Sequence, residues 1–326
     1  MIFSEQHLVS IIIPTFNASQ YLRETLTSIL AQDYPYWECL LIDDGSSDAT
    51  VTIISEYIAL SDKFYLFKRP SNIIKGPSSC RNIGLENAKG AFVLFLDADD
   101  VLAPYCLSSR LKFASENTAH DFWIFKMHTF RSFNKTHLFN MLPDVVTEDE
   151  FQFYGPKFKN FEIPFPVSAP FWKLSTLKDL QGFDCNLRVL EDPDLGWRAF
   201  QKGYMSKTAI DLPEDCYYRL RPKSTKKAKL SKIKRNSILL YFSKHINLNT
   251  SSNKLFFKRL LSLYVFSNNS VPFLKESLQI AVRSKIITFW LANQILFLWC
   301  YRKLGAHKVK GLGYTSLQNY IFRKLA

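Results

Sequence analysis

Over the first hundred residues, short apolar runs alternate with stretches of helical period. Leu8 to Ile13 reads as a buried strand closed by Pro14. A loop, Thr15 to Ser19, leads into a helix to about Ala31, whose apolar face is Leu22, Leu26 and Ile29/Leu30. Asn17 or Ser19 is the candidate cap for that helix. Trp37 to Ile42 is the second strand, running into Asp43-Asp44-Gly45-Ser46 and then a helix through about Tyr57, with Asp48 as a cap charge at its start. Lys63 to Phe67 forms a third strand, and Arg69 to Ser79, with Pro70, Gly76 and Pro77, a loop. A helix from Ser79 to Asn87 follows. Ala91 to Leu96 is wholly apolar, as in a strand buried on both faces of a parallel sheet, and it stops at Asp97, Asp99 and Asp100. The order β-α-β-α-β-α-β predicts a mainly parallel sheet sandwiched by helices.

Beyond residue 100 the pattern is coarser. Leu107 to Phe113 predicts a helix and Phe122 to Phe130 a strand. Residues 131–170 lack clear period and read as strands and loops over the substrate side. Phe171 to Leu174 marks either the acceptor side and a helix start or, for Trp172, core packing. After Gly182-Phe183-Asp184, a helix opens at Glu191-Asp192-Pro193, with Leu195, Ala199 and Phe200 inward. Helices are expected over 231–245, 253–267 and 271–303.

Composition narrows the classes. The 326 residues, 47% of them hydrophobic, support one large domain or a catalytic domain with a helical extension. Aromatics at 15% suggest an extensive core plus an apolar contact surface. The net charge of +13, concentrated toward the C-terminus, favours an anionic partner: nucleic acid, anionic lipid or a phosphorylated metabolite. The six cysteines are scattered without CxxC or His-Cys clusters, which argues against structural zinc and for a reduced compartment. No signal-peptide pattern opens the sequence. Ile286 to Tyr301 is apolar but interrupted by Thr288, Asn293 and Gln294, and too short for a secure membrane span. An amphipathic helix on anionic lipid is the favoured reading, and a buried helix fits nearly as well.

The acids carry the chemistry. Asp97, Asp99 and Asp100 repel one another, and a divalent cation bridging to phosphate would offset that. A solvated acidic turn is the bland alternative. Asp43 or Asp44 could accept a base N–H or a ribose hydroxyl. Arg81 could hold a diphosphate or brace Asp97 or Asp99. Asp192 alone reads as a helix cap. Neither G-x-G-x-x-G nor G-x-x-x-x-G-K-[ST] occurs where it would bind phosphate, so a carboxylate-bound metal is the available route.

Four segments in order, Val9-Ser10-Ile11-Ile12-Ile13-Pro14-Thr15-Phe16-Asn17, Asp43-Asp44-Gly45-Ser46, Arg81-Asn82-Ile83-Gly84 and Leu96-Asp97-Ala98-Asp99-Asp100, resemble the family 2 glycosyltransferases. The resemblance covers about residues 7–225. It implies the GT-A fold and an inverting, nucleotide-sugar-dependent enzyme. It places Pro14 and an aspartate of Asp43-Asp44 at the base, usually uracil, and Arg81 near the diphosphate. Asp97 falls on the sugar or ribose side and Asp99 on the metal, Mn²⁺ or Mg²⁺, with Asp97 beside it. The Glu191-Asp192 pair matches the family's acidic pair, making Asp192 the catalytic base; Pro193 departs from the usual aromatic or apolar residue. Tyr217 to Thr225 loosely matches a stretch by the diphosphate, with Arg219, Ser224 or Thr225 as phosphate contacts. The expected organisation is a GT-A catalytic domain over 1–225 (nucleotide-sugar half 1–100, acceptor half 101–225) and a basic, aromatic helical extension over 226–326. The expected activity moves sugar from a UDP-sugar to a glycan or lipid-linked acceptor for a bacterial surface polysaccharide. The enzyme would sit peripherally on the cytoplasmic side of the inner membrane, on an anionic surface. Oligomer contacts through the C-terminal helices stay open. A nucleotidyl- or other phosphate-handling transferase, a nucleic-acid-binding protein using the basic tail and an inactive relative are the alternatives; no recognition motif accompanies the tail, so no nucleic-acid partner is expected.

Overall fold

The computed structural model describes residues 7–130, 146–220, 231–246, 251–265, 270–304 and 313–325. The chain divides into two units, residues 1–158 with 162–225, and 159–161 with 226–326.

The first unit is α/β. Its opening order is β1 (Val9–Thr15), α1 (Leu22–Leu30), β2 (Trp37–Asp43), α2 (Thr50–Leu60), β3 (Phe64–Lys68), α3 (Pro77–Asn87) and β4 (Phe92–Phe95). β2 is buried along its whole length, as its apolar run requires of a strand covered on both faces. Gly84 lets α3 press onto β1, since a Cβ there would meet Ile12 Cγ2 at 2.4 Å. The later elements are β5 (Val101–Leu102), α4 (Cys106–Glu116), β6 (Phe122–Ile124), β7 (Met127–Phe130), α5 (Glu150–Lys159), β8 (Pro170–Lys173), α6 (Leu174–Asp179), α7 (Glu191–Gln201), β9 (Ser206–Thr208) and β10 (Cys216–Arg219).

The main sheet has the order β3-β2-β1-β4-β8-β6-β9. Its first four strands are parallel, and β8 runs antiparallel to β4 and β6. Strand order reverses at β1, so the carboxyl ends of β1, β2 and β4 open on one crevice, where such sheets bind ligands. A smaller sheet, β5-β10-β7, lies beyond the acidic turn.

Several expectations needed correction. The run 122–130 is two strands in different sheets, because the chain leaves the main sheet after Ile124. Residues 150–159 form α5 rather than strands and loops, with Pro156 inside the helix. Asn17 and Ser19 do not cap α1, which opens without a side-chain cap among the described residues. Asn17 Oδ1 instead accepts from Ser47 N at 2.9 Å, and Ser19 N donates to Asp48 Oδ2 at 3.1 Å, stitching the β1 and β2 turns together. Asp48 does serve α2, accepting from Thr50 N at 3.0 Å. Trp172 is core, stacked on Phe122 at 4.2 Å between centroids.

The second unit contains α8 (Lys232–His245), α9 (Ser251–Leu260) running into a π-helical turn (Leu261–Val265), α10 (Val271–Arg283), α11 (Phe289–Lys303) and α12 (Tyr314–Lys324). Phe161, Tyr241, Phe242, Phe256 and Phe257 form its aromatic centre. The single helix expected over 271–303 is broken, since Lys285 takes φ 56° and Thr288 caps a new helix by accepting from Leu291 N. Among the described residues no helix is long and apolar enough to cross a membrane.

Candidate active site

A cavity of about 530 Å³ opens at the crevice. Pro14, Asp44, Arg81, Asp97, Asp99 and Asp192 all line it, although nearly 180 residues separate the first from the last. Asp43 and Arg219 are not in the lining.

Each acid is placed by a local device. Asp43, at the end of β2, accepts from Gly45 N at 3.1 Å and from Ser46 N at 3.2 Å, and Gly45 takes φ 87° to complete the turn. Asp44 pairs with Arg69, whose guanidinium also donates to the Pro70 and Ile73 carbonyls. After β4, Thr25 Oγ1 donates to the Ala98 carbonyl at 3.1 Å and ties the acidic turn to α1. Arg219 braces that turn from behind: its N–H reaches Asp100 Oδ1 at 2.9 Å, Nε reaches the Asp99 carbonyl at 2.8 Å and Nη2 reaches Glu24 at 2.6 Å. Its guanidinium lies 4.4 Å from both the Tyr21 and Phe130 rings. β10 sets its position, and the fully buried Arg110–Asp215 pair at 2.7 Å anchors the segment leading into that strand.

Asp192 sits in the first turn of α7, which starts after Leu190 at φ 67°. Glu191, Asp192 and Asp194 together suit the positive end of the helix dipole. Asp194 is buried and bonded to Arg198 at 2.8 Å, while Arg198 also donates to the Leu180 and Gly182 carbonyls at 2.6 Å. Asn82 clamps the neighbouring turn through both the N–H and C=O of Phe183, at 2.8 Å each. Arg81 and Asn82 thus divide the labour: one carries charge into the cavity, the other fixes the loop before the acidic pair.

Arg81 is the electrostatic centre. Its Nη2 lies 2.8 Å from Asp97 Oδ1 and its Nη1 lies 3.7 Å from Asp192 Oδ1. Burial opposes its charge, yet Asp97, Asp192 and Glu191 raise its pKa. Among the described residues, Arg81 Nε and Nη1 have no hydrogen-bond partner. Burial pushes the Asp192 carboxyl up to about 7, with Glu191 and Asp97 adding to the shift while Arg81 and the Val167 N–H oppose it. Such a carboxyl can take a proton near neutral pH.

Lys75, Gly76 and Arg188 also line the cavity, and sequence reasoning missed them as site residues. Gly76 takes φ 140°, and a Cβ there would meet Arg188 Nη1 at 2.3 Å. Lys75 Nζ lies 3.6 Å over the Phe16 ring. The Gly-Pro at the start of α3 was a usable signal for the close approach; nothing local marked Arg188. Ser224 and Thr225 lie outside the described residues.

Among the described residues no group of three His, Cys, Asp or Glu side chains gathers as a metal cage. Asp97 and Asp99 still present hard oxygen donors to the cavity. That fits a cation of the Mg²⁺ or Mn²⁺ kind, which uses one or two carboxylates and takes its other oxygens from water and phosphate.

Residues 10–172 match the family model described as glycosyl transferase family 2. A Haemophilus influenzae protein described as an uncharacterized glycosyltransferase is 44% identical over 110 residues, 34% of this chain and 43% of that protein. The GalNAc(5)-diNAcBac-PP-undecaprenol beta-1,3-glucosyltransferase of Campylobacter jejuni is 38% identical over 114 residues, 35% of this chain and 37% of that enzyme. The chain therefore spans less than half the length of these relatives. The crystal structure of Staphylococcus aureus TarS 1-349 in complex with UDP-GlcNAc superposes with a TM-score of 0.65 at 19% identity, covering 96% of this chain and 91% of that one. The fold is accordingly of the GT-A type. The family match stops short of Asp192 and Arg219.

Proposed function

Because the chain belongs to glycosyl transferase family 2, we propose that it transfers a sugar, with inversion, from a UDP-sugar to a hydroxyl of a glycan or lipid-linked acceptor in bacterial surface-polysaccharide synthesis. The observation that carries this reading is that Asp99 and Asp192 share one cavity, with Arg81 set between Asp97 and Asp192. The UDP-GlcNAc in TarS supports the donor class, and the undecaprenol-linked acceptor named for the Campylobacter jejuni relative supports the acceptor class. The enzyme works peripherally at the cytoplasmic side of the inner membrane.

In this reading the nucleobase lies at the Pro14 and Asp44 end of the cavity, on a turn that Asp43 shapes. Asp99, with Asp97, would hold a divalent cation, which would supply positive charge to offset that of the departing diphosphate. Arg81 adds fixed positive charge there and limits the rise of the Asp192 pKa. Arg219 acts through the acidic turn, holding the Asp99 backbone. Asp192 takes the proton of the acceptor hydroxyl as that oxygen attacks the anomeric carbon. Attack opposite the leaving group, with no protein nucleophile, inverts the configuration.

A panel of nucleotide sugars with Mn²⁺ or Mg²⁺, read as donor hydrolysis or transfer, tests this. UDP-sugar turnover that a chelator suppresses is expected. Full turnover in excess chelator removes the metal assignment, and turnover confined to other nucleotides removes the uridine assignment.

A further inference from the structure

The charge of this protein is divided unevenly. Residues 226–326 carry 19 Lys and Arg against a single acid, Glu276, whereas residues 1–225 carry 23 against 28. The whole positive excess therefore belongs to the C-terminal region. Within that unit, α11 buries Ala292, Ile295, Leu298 and Trp299 on one side. Its other side leaves Phe289, Trp290 and Phe297 at 73%, 64% and 61% exposure. A groove of about 310 Å³ runs between α10 and α11; Leu278, Val282, Phe289 and Leu296 line it, and Lys275 and Arg283 stand in it. Lys285 and Lys303 are exposed at the two ends of α11.

We propose that the α10–α11 face docks on an anionic phospholipid bilayer, with Phe289, Trp290 and Phe297 entering the interface and Lys275, Arg283, Lys285 and Lys303 meeting headgroup phosphates. Bulky aromatics beside exposed cations are the side-chain set that an acidic bilayer surface binds. A second copy would bring one strongly cationic unit against another, which charge repulsion opposes. Leu278, Val282 and Leu296 give the groove aliphatic walls suited to an acyl chain, with the polar groups of Lys275, Gln279, Arg283 and Asn293 among them. This deepens the membrane location given above by naming the surface that makes it, and it does not depend on the transfer chemistry.

The test is vesicle sedimentation of the full chain, with vesicles of phosphatidylcholine alone and of phosphatidylcholine with phosphatidylglycerol in equal amounts. Binding to the phosphatidylglycerol vesicles, weakened by salt, is expected. The variant F289S/W290S/F297S should bind them on the order of 100-fold more weakly. K275E/R283E/K285E should lose more than about fivefold per residue. Both should keep wild-type donor turnover, which separates a failure of docking from a failure of the glycosyltransferase reading. Equal binding by wild type and both variants overturns the proposal, as does absence of wild-type binding. A serine variant that turns a dimer into a monomer, with no vesicle binding by the wild type, would assign the face to a second copy. Wild-type binding to single-stranded RNA but not to the vesicles would assign it to nucleic acid.

Discussion

β2 and β4 lie on either side of β1 and both run into carboxylates, yet the two ends are built for different work. After β2, Asp43 is buried and turned back on the N–H groups of its own turn, and Asp44, at the cavity wall, is paired with Arg69 and keeps 7% side-chain exposure. After β4, Asp97 keeps 34% side-chain exposure despite its Arg81 contact, and Asp99 lines the cavity beside it. Only Asp100 is buried, held by the Arg219 N–H. A carboxylate that accepts from its own turn shapes that turn; one left open to a cavity can meet a cation or a substrate. Residue type at the strand end is the same in both cases, and the partners decide the role.

The largest effect should come from the acid that faces the β4 end across the cavity. Asp192→Asn keeps the side-chain size and removes the base, so transfer should fall by about 10²–10⁴-fold while donor binding holds. The wild-type rate should follow the same group. With the Asp192 carboxyl raised to about 7, the base is protonated below that pH and free above it. Transfer should therefore drop about tenfold per unit on the acid side and level off on the alkaline side. Wild-type transfer by D192N, or a flat profile from pH 5 to 8, would put the base elsewhere.

Next in size is Asp99→Ala, which tests whether the β4 end differs from the β2 end at all. Loss of a cation contact at the leaving group should lower kcat/KM on the order of 100-fold. The Arg219 bond to this turn should survive the change, because it is made to the Asp99 carbonyl. An unchanged response of D99A to Mn²⁺ would make this turn a scaffold like the other.

The same contrast explains what could be read in the sequence. The first four strands and three helices were legible because each apolar run is short and bounded; β1, β2 and β4 are also largely buried, and acidic turns follow β2 and β4. The 122–130 run was misread because its apolar character continues across the point where the chain changes sheet. α5 was missed because Phe and Pro mask its period. In the site, the aspartates could be named by motif, but their partners could not. Asn82 meets Phe183 across 101 residues and Arg219 meets Glu24 across 195, and no local pattern reports such a pairing. The motif marked Arg219 as a phosphate contact; its bonds to the Asp99 carbonyl, Asp100 and Glu24 had no local signal.

The smallest and most discriminating change is at Asp43. Asp43→Ala leaves the Gly45 and Ser46 N–H groups without their acceptor and should cost about 1–2 kcal/mol of stability. Donor KM should rise with it, because the cavity wall at Asp44 rests on the same turn. Asp43→Asn retains one carbonyl oxygen for those N–H groups, so both the thermal midpoint and KM should return most of the way. If D43N instead melts like wild type but binds donor as poorly as D43A, the carboxylate itself reads the base. The β2 end would then be a ligand site in its first aspartate, and the division of labour between the two strand ends would have to be redrawn.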